Sequence, residues 1–169
     1  MRFLAALFQV STTANSDCMH LKPMTEQWQS METTTHQDHV IAHVIGTTVL
    51  AHIVLHDAVH LLLDIGFIWK IYVEGDMGLL PHPVAVAELE ISDDARKRIV
   101  ADIDLLLRGV RDVSALGSLT PVGADCRIEE VELLESCDRR KLVLHGEAAN
   151  LELEMSVADD SISVTELPK

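Results

Sequence analysis

His52, His56 and His60 recur at intervals of four, Asp64 extends the series by one more step, and Asp57 lies beside it. Imidazole and carboxylate are the side chains that hold Zn²⁺ and related divalent ions, so this is the one cluster in the chain with ligand character. On a helix these positions form an i, i+4, i+8 column; in a hairpin His52 and His60 become diagonal neighbours near the turn. The chemistry would be metal binding, or metal-assisted hydrolysis with Asp57 or Asp64 as base. A helix would also make His39 and His43 a second pair at the same spacing. The HExxH pattern of zinc hydrolases is absent. Nine histidines in 169 residues also produce such spacings by chance, and an imidazole on an amphipathic strand needs no ligand.

The elements that must position these residues are read from hydrophobic periodicity. From Val59 to Glu74 the chain alternates without a break, with Val59, Leu61, Leu63, Ile65, Phe67, Trp69, Ile71 and Val73 on one side. A period of two predicts a long strand with one buried face. Val40 to Leu55 also alternates and is rich in β-branched residues, which favours a second strand. With His56-Asp57-Ala58 as the turn, the two form a long hairpin over about 38–74, in which Val54 faces His60 and His52 faces Leu62. In that register 52, 56, 60 and 64 share a side. Asp64, Lys70, Tyr72 and Glu74 then lie on the polar face with His60, where they would line a cleft supplying a general base and a cation for a bound anion.

Further along, Pro81-His82-Pro83 keeps the chain extended, and 84–91 reads as another strand. Ser92 is a good N-cap with Asp93 and Asp94 behind it, and Ala95, Ile99, Ile103 and Leu106 recur at helical spacing up to Gly109. One main helix is therefore expected over about 93–108. A meander of four strands follows over about 125–166, at about 125–135, 140–146, 149–157 and 161–166. The whole predicts an α+β domain with a mostly antiparallel sheet. The ordered domain is expected over 37–169, with 1–36 a loose N-terminal extension. Its start does not make a complete secretory signal, since the apolar run ends at Val10 without a convincing cleavage site.

Net charge is −14, from 27 acidic and 13 basic residues. That excludes a phosphate-binding nucleic-acid surface and attraction to anionic lipid, and it suits a basic partner. The apolar run 40–73 carries too many ionisable groups to cross a membrane. Cys18, Cys126 and Cys137 form no CxxC pair, so a reduced, cytoplasmic setting is expected. No GxSxG is present, and a Cys126–His145 pairing on neighbouring strands is the one nucleophile arrangement the topology allows.

Three readings follow. The leading one is a non-enzymatic binding or regulatory module without a cofactor, in its narrower version one that neutralises a basic protein. A second is a protein or hydrolase that binds Zn or another divalent metal through His52, His56, His60 and Asp64. A third is a structural protein that forms a homodimer through the apolar sheet of 40–73, which one helix and a short meander would not cover.

Overall fold

The computed structural model describes residues 27–169 except 75, 80–82, 157 and 159–160. Most of the expected extension over 1–36 therefore lies outside the described residues. Within its last part, β1 (Gln29–Ser30) pairs antiparallel with Leu134 and Glu135, so the chain joins the sheet before Gln37.

α1 (Thr35–Val44) replaces the first part of the expected hairpin. Its cause is local. The Gln37 amide donates to the Thr34 hydroxyl at 3.2 Å, and the Thr34 amide donates to the Gln37 side chain at 2.9 Å. This capping box satisfies amides that the first turn otherwise leaves orphaned. Val40 and Val44, one turn apart, are buried. Gly46, at φ 84°, ends the helix in a conformation that L side chains rarely adopt. Cap and burial together override the β-branched composition.

Four strands follow: β2 (Thr48–Leu55), β3 (Ala58–Leu63), β4 (Ile68–Glu74) and β5 (Asp76–Leu79). The long hairpin over 38–74 is thus corrected to a helix and an antiparallel meander. The single strand expected from Val59 to Glu74 is folded in two at Asp64-Ile65-Gly66, where Gly66 has φ 88°. The Leu63 amide donates to the Phe67 carbonyl at 3.0 Å, closing a three-residue loop. An odd-length loop keeps odd-numbered residues on one face, as the pairs Leu61–Trp69 and Val59–Ile71 show. The period of two therefore runs through the turn undisturbed.

The expected strand at 84–91 is also corrected. Val84 makes one bridge to Ile68, and a 3₁₀ turn forms at Val86–Glu88. Arg96 donates to the carbonyls of Val86 (3.3 Å), Leu89 (3.0 Å) and Ile91 (3.4 Å), taking acceptors that a strand would have offered to a neighbour. That arginine belongs to α2 (Asp93–Leu107), which starts at the Ser92 cap as the sequence predicts. The C-terminal meander is present as β6 (Thr120–Ser136), β7 (Arg139–Gly146), β8 (Ala149–Ser156) and β9 (Ile162–Pro168). The fold is α+β with a mostly antiparallel sheet.

The strand order is β5-β4-β3-β2-β6-β7-β8-β9, with β1 beside β6. β5 also approaches β7, and β6 approaches β9, although neither pair is adjacent in that order. The sheet therefore curls, and its concave face encloses the main core: Val59, Leu61, Trp69 and Ile71 meet Ile128, Leu142, Leu144, Leu151 and Leu153, with α1 adding Val40 and Val44. The opposite face of β2–β4 carries Ala51, Leu62 and Ile68 against Ile99 and Leu106 of α2. Both faces of β3 are thus covered within one chain, and every one of its residues is buried. Among the described residues no helix is long and apolar enough to cross a membrane.

Asp102 of α2 is 3% exposed and accepts the amides of Gly117, Ser118 and Leu119 at 2.9, 2.7 and 2.9 Å. This one carboxylate ties α2 to the loop that leads into β6. Asp102→Ala would leave three buried or half-buried amides without their acceptor, and is expected to cost about 3 kcal/mol in urea unfolding. The exposed Asp104→Ala on the same helix should stay within about 0.5 kcal/mol of the parent.

Candidate functional site

The β2–β3 turn decides where the histidines go. Leu55 pairs with Ala58, so the loop contains two residues, His56 and Asp57. His56 has φ 54°, the left-handed value that mirror-image hairpin turns require at their first central residue. The three-residue turn expected from the sequence is one residue too long. The pairs are Ile53–His60 and His52–Leu61, shifted by one from the expected Val54–His60 and His52–Leu62. A one-residue slip turns every side chain to the other face. His60 therefore shares its face with Ile53, on the α2 side. His52 shares its face with Leu61, on the concave side. The two do not lie on one surface.

The proposed ligand set is dispersed accordingly. His52 is half-buried in β2, His56 is exposed in the turn, and His60 is buried in β3. Asp64, beyond β3, accepts the Thr48 amide at 3.0 Å. Among the described residues no group of three or more His, Cys, Asp or Glu is arranged to hold a metal ion. His39 and His43 do form the helical pair, on α1. Their rings are 4.6 Å apart, and His43 Nδ1 lies 2.7 Å from the His39 carbonyl oxygen. That gives two imidazoles at most, with one nitrogen already engaged.

What the structure does assemble is a cleft of about 440 Å³ between the β2–β4 face and the segment 84–90. His60 and Lys70 are directly paired across β3 and β4 and form its floor. Asp57 and His56 enter from the turn, Glu88 and Glu90 from the 3₁₀ segment, and Leu55, Val84 and Leu89 supply apolar wall. The Glu88 carboxylate is fixed by the Ala85 amide at 2.8 Å. The expected union of His60 with Lys70 in a cleft is present; Asp64 is not part of it. An extended 84–91 would not bring the two glutamates here; the 3₁₀ turn does, and Pro83 just before it is the signal the sequence carries.

Burial, reinforced by the Lys70 ammonium and by His56, pushes the His60 pKa down to about 4, with the Ala58 carbonyl opposing. The imidazole is neutral at neutral pH and can donate through one nitrogen and accept through the other. Its Nδ1 is buried and has no hydrogen-bond partner. Burial also lowers the pKa of His52, partly offset by the Glu166 carboxylate, and its Nδ1 is likewise buried without a partner.

Cys126 and His145 are not brought together. Cys126 pairs with Val49 and faces the core, whereas His145 pairs with Glu130 and Asn150 and contacts Glu132 at 3.3 Å. Burial and the Glu166 charge push the Cys126 thiol up to about 11, which suppresses the thiolate a nucleophile needs. Packing is tight: a Cβ on Gly146 would lie 2.8 Å from the Cys126 sulfur and 2.4 Å from the Ala149 carbonyl oxygen. No protein-family model, curated protein or solved structure matches this chain.

Two outcomes are expected. His56→Gly should stabilise the protein by about 1 kcal/mol in urea unfolding, because glycine adopts positive φ without penalty. As pH falls below 6.5 the unfolded chain binds a proton at residue 60 before the folded one does, so stability is intact above 6.5 and lost down to about 4. The loss from His60 between pH 7 and 4.5 should be about 2–3 kcal/mol, and His60→Leu should remove most of it.

Proposed function

We propose that this chain is a non-enzymatic binding protein that engages, and thereby neutralises, a basic protein partner. The observation that carries the reading is how its charge is deployed. The 13 basic residues fall 14 short of the 27 acidic ones, and much of the positive charge is spent inside the molecule. Arg96 pairs with Asp93 at 2.8 Å, Lys97 with Asp94 at 3.8 Å, and Arg140 with Glu135 at 3.8 Å. Lys141 reaches Glu152 at 3.1 Å and Glu154 at 3.4 Å, Arg139 also contacts Glu154, and Lys169 reaches Glu129 at 3.4 Å. Glu90, Asp104, Glu130 and Glu147 are all exposed, and acidic residues outnumber the exposed cations such as Arg98 and Arg108.

The exposed pairs among these, such as Lys97–Asp94, add little stability. Their effect is on the field: with these cations locally compensated and net charge −14, an approaching partner meets a net negative surface, which accelerates encounter with a basic protein. The test is affinity capture from the source lysate at about 50 mM and about 500 mM salt, since screening shortens as ionic strength rises. A basic protein retained in the first condition and released in the second is expected. Recovery of no basic partner at low salt would contradict the reading.

A further inference from the structure

We propose that the cleft floored by His60 and Lys70 and rimmed by Asp57, Glu88 and Glu90 binds a small zwitterion, an amino-acid-like molecule carrying a carboxylate and an ammonium. The site does not depend on a protein partner, and the inference goes beyond the reading above.

The floor points to the anionic end. His60 is 5% exposed, and its Nδ1 faces no partner within the protein. Directly across the strand pair, Lys70 is half-buried, and its ammonium lies 5.5 Å over the Tyr72 ring. No carboxylate among the described side chains is paired with it. A neutral imidazole and an ammonium side by side suit one carboxylate.

The rim points to the cationic end. Asp57, Glu88 and Glu90 stand at the mouth, with Glu88 already oriented by the Ala85 amide. Three carboxylates, in a protein of net charge −14, repel a bare anion from the same floor. A molecule with both charges satisfies the two ends at once, and Leu55, Val84 and Leu89 receive the methylenes between them. A volume of about 440 Å³ lies within the usual range of small-molecule sites.

The test is an NMR titration of histidine-labelled protein, with the His60 ring signal assigned by its loss in His60→Gln. The probes are glycine and L-lysine, with acetate and methylamine as the separate halves. Saturable movement of the His60 signal by a zwitterion is expected, with each half at least about tenfold weaker. Lys70→Gln should weaken binding about tenfold, and the exposed pair Asp57→Asn with Glu90→Gln should do the same without touching the floor. No saturable movement with either zwitterion up to about 10 mM would overturn the proposal, as would acetate binding as tightly as L-lysine. Unchanged affinity in both folded variants would overturn it equally.

Discussion

A two-residue turn at His56-Asp57 sets the geometry on which everything in the N-terminal half depends. Turn length fixes hairpin register, and register fixes which face each side chain takes. With Leu55 opposite Ala58, His60 stands with Ile53 on the face that α2 partly covers, and the half-buried His52 is turned to the concave side. One more residue in the turn would put both on one face. The left-handed φ of His56 is the local strain that accompanies this choice.

The consequences extend through packing. Because the sheet curls, β3 has no solvated face: Val59, Leu61 and Leu63 enter the main core, while Leu62 meets the α2 cluster. His60 occupies the same α2-side face and is desolvated with it. Only where α2 gives way to the 84–90 segment does that face open, and there the cleft forms. Asp102 and Arg96 hold this second layer in place, one by accepting three loop amides and the other by donating to three carbonyls. The cleft is thus a by-product of how irregular backbone is satisfied between a helix and a sheet.

Much of the architecture was legible in the sequence, for identifiable reasons. α2 carried a cap, an acidic first turn, a helical apolar stripe and a terminal glycine that all agreed. The C-terminal meander announced itself through Leu151, Leu153 and Met155 alternating with Glu152 and Glu154. The N-terminal half misled because parity survived its turns: the loop at Asp64–Gly66 preserves odd and even, so one pattern describes both one long strand and two short ones. α1 was concealed by β-branched residues, although Thr34 and Gln37 spelled a capping box. The histidines are placed apart for a sharper reason. Spacing along the chain says nothing of face until the turn length is known, and whether Ala58 belongs to the turn or to the strand separates the two registers.

That register is also the most direct point of test. Backbone NOEs between β2 and β3 report which residues lie opposite one another. Cross-strand contacts joining His52 with Leu61 and Val54 with Val59 are predicted. Contacts joining His52 with Leu62 and Val54 with His60 would return both histidines to one surface and contradict the account.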